Sequence, residues 1–168
     1  MLPWRNQTLV ENVASKVRDA TGNVALVGRP AIDGLIDIEC IPDVRPGFGP
    51  LSGIETALSS GRGDLNLIVA CDLPLLESEW LKSLIHTTVS REAKCVVATD
   101  AAGRVHPLCG VYRSDCLPHV SKALDEGRLK LMDLIEELRA EFVEVPVPIW
   151  NINTPEEWQA CRDFAHGR

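Results

Sequence analysis

Several common signatures are missing from this chain, and each absence removes a class of function. No run of apolar residues approaches the roughly 20 needed to span a bilayer. The N-terminus, Met-Leu-Pro-Trp-Arg-Asn, lacks the basic-then-apolar pattern of a secretory signal, which predicts a cytoplasmic protein. There is no long basic run, and the formal net charge is −7, which argues against a nucleic-acid footprint. An acidic protein can still bind a phosphorylated ligand, but through a local site and a bound cation rather than through its overall field. None of the six cysteines pairs as C-x-x-C, so neither a zinc site nor a disulfide framework is indicated. Four of them lie in apolar runs and read as small buried hydrophobes. No G-x-x-x-x-G-K-[ST] is present, which excludes a P-loop, and Ser52 has no G-x-S-x-G around it, which removes the usual hydrolase elbow. No internal repeat, low-complexity tract or linker divides the 168 residues, so one domain spanning 1–168 is expected.

What is present is a succession of strands and helices. Apolar spacing predicts a helix over 8–20, a short strand over 24–28 and a weaker strand over 35–41 stopped by Pro42. A helix over 49–60, a strand over 67–71, a helix from about Ser78 and strands over 95–99 and 105–113 follow. Two helices near 115–126 and 130–139 and a strand over 142–146 come next. The last helix opens on Thr154-Pro155-Glu156-Glu157, a capping box with proline at the first helical position. This alternation predicts an α/β fold: one doubly wound, mostly parallel sheet with helices on both faces.

The most informative stretch is Asn66-Leu-Ile-Val-Ala-Cys-Asp72-Leu-Pro74. Leu67–Cys71 reads as a strand buried on both faces, with a carboxylate at its carboxyl end. Ligands of open α/β sheets bind just beyond those ends. Pro74 delays the next helix, so Asp72 is too early to cap it and is a candidate for a metal or ligand. Gly47-Phe-Gly49-Pro-Leu-Ser-Gly53 superficially resembles a dinucleotide fingerprint, but position 52 is serine and 42–46 separates the strand from the glycines. A wider glycine loop over the face of a base remains open. His106, beside a strand-end turn, is either a turn histidine or a functional one. Asn153, held at a strand-to-helix junction, is either a turn residue or a carbonyl ligand for a hard cation.

Taken together, Cys71-Asp72-Leu-Pro74, Gly49-Pro-Leu-Ser-Gly53, His106-Pro-Leu108 and Asn151-Ile-Asn-Thr-Pro-Glu-Glu157 occur in the order seen in the molybdenum cofactor guanylyltransferases and their MobA-like nucleotidyltransferase relatives, which this chain resembles throughout its length. The resemblance implies a Rossmann-like NTP-transferase fold and Mg²⁺-dependent transfer of GMP from GTP to a molybdopterin phosphate, releasing pyrophosphate. It implies Asp72 as the catalytic magnesium ligand and Asn153 as a second ligand. Asp43 and the loop Gly49, Pro50, Leu51, Ser52 and Gly53 would contact the nucleotide, and His106, Arg128 and Lys130 the acceptor. Hand-over of product to molybdoenzymes or chaperones is a further implication. No protein nucleophile is needed, because an acceptor phosphate oxygen attacks the α-phosphorus and the cation screens the repulsion.

Two departures accompany the resemblance. The family opens on a strand and a loop of the type L-A-G-G-x-S-x-R-M-G-x-D-K, whereas residues 1–9 here resemble the segment just after that lysine. Roughly 20 residues, a strand plus a loop, would therefore be missing. That first strand lies mid-sheet, and its loss would leave unpaired backbone groups on both neighbours. Upstream coding sequence would restore it, or the chain is a non-catalytic relative serving as a nucleotide-binding or partner protein. Second, Gly28-Arg29-Pro30 stands where guanylyltransferases tend to have an asparagine, which leaves cytidylyltransferase relatives open.

Overall fold

The computed structural model describes residues 3–4, 7–28, 38–146 and 148–166. A small antiparallel pair, β1 (Pro3–Trp4) and β2 (Gln7–Thr8), leads into α1 (Leu9–Thr21). Thr8 caps α1 in a full capping box with Glu11, and Gly22 closes it in the left-handed region. Strands β3 (Ala25–Val27) and β4 (Glu39–Ile41) pair in parallel. Of the weaker strand expected over 35–41, the part before residue 38 lies outside the described residues. Next come α2 (Pro50–Ser59), β5 (Leu65–Val69), α3 (Ser78–Ser90), β6 (Cys95–Thr99) and β7 (Val105–Arg113). A single 3₁₀ turn over Ser114–Cys116 leads into α4 (Leu117–Asp125), then α5 (Leu131–Glu137), β8 (Glu141–Glu144) and α6 (Pro155–His166).

The larger sheet has the order β5-β7-β6-β8. Strand β7 is antiparallel to both β5 and β6, and β8 is parallel to β6, so β5, β6 and β8 all run one way and β7 alone is reversed. The α/β architecture is as expected; the reversed strand is an addition, because the tight Asp100–Gly103 turn joins β6 to β7 as a hairpin, which only antiparallel neighbours allow.

Alternation along β6 and β7 builds two cores. Cys95, Val97 and Tyr112 face α2, α4 and α5, whereas Val96, Ala98, Cys109 and Val111 face α3. The register is tight at Gly110, where a Cβ would stand 2.7 Å from the Val96 carbonyl and from Val97 Cγ1. A third cluster joins Trp4, Leu9 and Val13 to Ile152 and Cys161, seating α6 beside α1. The buried thiols at 95 and 109 are pushed up to about 12 by burial, which keeps them protonated and unreactive.

One expectation fails in an instructive way. The run ending at Cys71 reads as buried on both faces, yet β5 starts two residues earlier and is only half-buried along its whole length. Its outer edge opens onto a cavity of about 430 Å³ between α1, α2 and β3.

Candidate active site

Three acids each follow the last residue of a strand, Asp72 and Asp100 at the carboxyl ends of two like-directed strands of the larger sheet and Asp43 beyond the separate β3–β4 pair. Asp43 comes two residues after β4, Asp72 three after β5, and Asp100 directly after β6. The reversed strand β7 begins at that same end, which brings in His106. The segment 151–154 arrives there from β8, and the amide of Ile152 donates to the Asp72 carbonyl at 3.0 Å. Asn12 on α1 donates its side-chain amide to the Pro74 carbonyl at 2.9 Å, fixing the other side of the Asp72 loop.

Asp72 sits in a turn and caps no helix: α3 begins at Ser78, as expected. Its Oδ1 is buried and makes no hydrogen bond among the described residues. Burial pushes the carboxyl above the usual range. Its own backbone amide and His106 pull it back, and the Glu157 carboxylate raises it again. A desolvated carboxylate whose oxygen accepts no hydrogen bond fits a hard divalent cation, whose charge offsets the penalty of ionising it.

At the Asn-Ile-Asn junction the two asparagines part. Ile152 is buried, and Asn153 is exposed, its backbone amide bound to Glu157 Oε2 at 2.7 Å. Asn151 instead carries a buried Oδ1 without a partner, beside the likewise unpartnered Trp150 Nε1. The sequence reading placed the ligand at Asn153; the partnerless oxygen belongs to Asn151. Two asparagines on either side of Ile152 are not told apart by pattern, and burial separates them. The capping box is as expected, with Glu157 N–H donating to Thr154 Oγ1 at 3.2 Å and Glu157 Oε2 accepting from Thr154 N–H at 3.1 Å.

His106 is not on a turn but inside β7, 5% exposed, with Nε2 3.2 Å from Asp100 Oδ2. Asp100 is 7% exposed, and its Oδ1 accepts from the amides of Ala102 and Arg104. Burial opposes its ionisation, but the Arg104 amide, His106 and the Ala102 amide together hold the carboxyl below its usual range. The sequence reading took Asp100 only as the start of a turn. Its signal was the same as that of Asp72, an acid closing an apolar strand.

The glycine loop is built differently from its sequence-level picture. Gly47 and Gly49 hold left-handed backbones, at φ 90° and 68°, which side chains resist. Pro50–Gly53 is not loop but the first turn of α2, opened by Gly49 with no side-chain cap. Two of the expected nucleotide-contacting side chains are therefore structural. Leu51 lies fully buried in the core, and Ser52, also fully buried, donates to the Arg45 carbonyl at 2.7 Å. The exposed Gly49 and Pro50 and the backbone N–H groups of that turn are what remain available to a ligand. Asp43 packs over Gly28, whose added Cβ would meet Asp43 Oδ2 at 3.4 Å, and its Oδ1 is buried without a partner. Arg45 pairs with Glu55 and Asp125, tying the loop to α2 and α4.

Arg128 pairs with Glu126 and Glu137, and Lys130 is the exposed residue just before α5. The structure links neither to Asp72. Residues 29 and 30, where a base-contacting asparagine was looked for, lie outside the described residues. Among the described residues, no group of three or more His, Cys, Asp or Glu side chains forms a metal cluster, and no helix is long and apolar enough to cross a membrane.

Comparison with known proteins supplies the frame for this geometry. A probable molybdenum cofactor guanylyltransferase from Flavobacterium johnsoniae is 29% identical over 158 residues, covering 92% of this chain and 82% of the relative. The fold matches that of molybdopterin-guanine dinucleotide biosynthesis protein A from Archaeoglobus fulgidus, with a TM-score of 0.81 at 20% identity over 96% of this chain and 87% of that one. It also matches Rv0371c from Mycobacterium tuberculosis, solved in complex with manganese, with a TM-score of 0.68 at 17% identity over 95% of this chain and 89% of that one. The family model of the MobA-like NTP transferase domain matches residues 1–142, and the chain belongs to that family of nucleotidyltransferase enzymes.

Proposed function

We propose that this protein is a Mg²⁺-dependent guanylyltransferase that moves GMP from GTP to the phosphate of a molybdopterin-type acceptor and releases pyrophosphate. The observation that carries the reading is the pair of buried, partnerless oxygens, Asp72 Oδ1 and Asn151 Oδ1, on segments joined by the Ile152–Asp72 backbone bond. Asp72, with Asn151 or Asn153, would hold the cation. When bound there, Mg²⁺ supplies neutralising charge for the triphosphate and the departing pyrophosphate.

The chain's own groups account for the rest. The uncapped first turn of α2 offers backbone amides to the nucleotide. Asp43 Oδ1 is a free acceptor near that turn, and guanine presents two adjacent N–H donors where cytosine presents only its amino group. That asymmetry favours GTP over CTP. His106, held by Asp100 and close enough to Asp72 to affect its ionisation, would meet the incoming acceptor phosphate. Arg128 and Lys130, on the α4–α5 turn, are assigned to the acceptor's outer part.

The test is pyrophosphate release from a panel of NTPs with and without molybdopterin, in Mg²⁺ and in chelator. Release that needs GTP, molybdopterin and Mg²⁺ together supports the reading. Release with CTP would reassign the base, and GTP binding without turnover under any condition would make the protein a nucleotide-binding relative.

A further inference from the structure

Helix α2 carries three buried polar side chains on one stripe: Ser52, Glu55 and Thr56, at 0%, 4% and 1% exposure. The spacing i, i+3, i+4 puts them on one face, beside the core positions Leu51, Ile54 and Leu58. Buried polar groups cost stability unless each finds a partner. Here the partners lie in one short stretch of loop and on α4. Ser52 Oγ donates to the Arg45 carbonyl at 2.7 Å, and Thr56 Oγ1 accepts from the Val44 amide at 3.0 Å. Glu55 Oε1 accepts from Ser121 Oγ of α4 at 2.8 Å. Its Oε2 is buried, accepts no hydrogen bond among the described residues and is compensated by the charge of Arg45, whose Nε stands 3.0 Å away. Were Arg45 to swing out, that carboxylate would be left buried and unpaired, which is strongly unfavourable. The same guanidinium reaches Asp125, the last residue of α4. Residues 44 and 45 are thus held from α2 and α4 at once, and the residue immediately before them is Asp43.

We propose that Ser52, Glu55 and Thr56 are positioning residues for the nucleotide: they fix the loop that aims the Asp43 carboxyl and thereby set the preference for one base over another. This rests on the reading of Asp43 as a nucleotide contact. Asp43 Oδ1 is buried, and no hydrogen bond among the described residues orients it. Its direction therefore comes from the backbone that follows it and from Gly28, whose added Cβ would meet Asp43 Oδ2 at 3.4 Å. An acceptor that tells one base edge from another needs a fixed position, since a mobile carboxylate turns toward water or toward either edge. The stripe supplies that rigidity from inside the core, with none of its own side-chain atoms reaching the ligand. Ser121 and Asp125 make α4 the far anchor of the same network.

The experiment pairs two substitutions at one position. Thr56→Val keeps the shape and loses the acceptor for the Val44 amide, whereas Thr56→Ser keeps the acceptor and loses a methyl group. Pyrophosphate release and calorimetric binding of GTP and CTP are read for both, for Glu55→Gln and for the wild type. A positioning role predicts that Thr56→Val and Glu55→Gln raise the GTP KM and Kd about tenfold, the scale of one hydrogen bond to a charged group. Their kcat should change by less than about threefold, since a base contact binds ground and transition states alike. The preference for GTP over CTP falls with the affinity, and Thr56→Ser stays within about twofold of the wild type. A role in packing alone would rank the two Thr56 variants the other way. In an Asp43→Ala background Thr56→Val and Glu55→Gln should add less than about twofold, because the residue they act through is gone. Where Glu55→Gln melts too low to assay, the Thr56 pair decides alone. No GTP binding by the wild type, or GTP binding that Asp43→Ala leaves unchanged, removes Asp43 from the nucleotide site, and the proposal falls with it. GTP binding weakened by Asp43→Ala but by neither Thr56→Val nor Glu55→Gln overturns the positioning role alone. Equal losses in Thr56→Val and Thr56→Ser, or full additivity in the double variants, would do the same.

Discussion

The amide of Ile152 donates to the carbonyl of Asp72 at 3.0 Å, across 80 residues of chain. That one bond holds the two segments with unsatisfied side-chain oxygens in a fixed relation. It uses only backbone atoms, so both side chains remain free for a ligand.

Asp72 can be tested by separating binding from folding. Asp72→Asn removes a carboxyl that burial penalises, so in chelator the variant should melt no lower than the wild type. Adding Mg²⁺ and GTP should raise the wild-type melting temperature and leave the variant's unchanged, while pyrophosphate release falls by at least about 100-fold, as for loss of a charge-stabilising group. Thermal shift assays paired with a pyrophosphate assay check both halves, and a variant that gains as much as the wild type removes Asp72 from the metal site.

The two asparagines make opposite predictions. Asn151→Ala, which deletes the buried acceptor, should raise the Mg²⁺ concentration needed for half-maximal activity by about tenfold, the scale of losing one ligand-shell contact. Asn153→Ala should change it by less than about twofold, because that side chain is exposed. A Mg²⁺ titration of both variants decides, and the reverse ranking would restore Asn153 as the ligand.

Asp100 gives a pH signature. Its carboxyl is held below the ordinary value of 3.8, so its contribution to stability is present above that pH and is lost as pH falls through the lower folded value. Asp100→Asn should cost about 1–3 kcal/mol at pH 7, the penalty for disturbing a buried network. Urea unfolding from pH 7 down to pH 2 should show the two proteins converging in acid. A constant difference across that range would mean the lost contribution is packing, not charge.

Gly110→Ala tests the sheet itself. A Cβ there meets the Val96 carbonyl and Val97 Cγ1 at 2.7 Å, inside contact distance, with the backbone of β6 unable to withdraw. Overpacking of this kind costs about 1–3 kcal/mol. Chemical denaturation of Gly110→Ala beside Gly63→Ala, whose Cβ has its nearest neighbour at 3.6 Å, should show the loss at position 110 only.

The sequence was legible wherever a local rule operated without competition. The capping box at Thr154, the strands 95–99 and 105–113 and the placement of Asp72 past a strand all follow from periodicity, turn chemistry and proline. It was misleading at positions where one residue type serves two purposes. Ser52 and Leu51 lie in a motif that suggests ligand contact, yet one donates to Arg45 and the other fills the core. Asp100 was passed over because a turn accounts for an aspartate without its histidine. His106 lies only six positions away, but the register shift between Val97 and Ala98 sets the hairpin that joins them.

The order of apolar runs and breakers by itself determined that this protein is an α/β chain with acids at its strand ends, since burial and backbone pairing leave such a pattern few other solutions. Which oxygens end up dry and partnerless, and that β3 and β5 face each other across an open slot, only the tertiary structure decided. Both depend on which segments meet at one end of the sheet, and no residue's local neighbours in sequence carry that information.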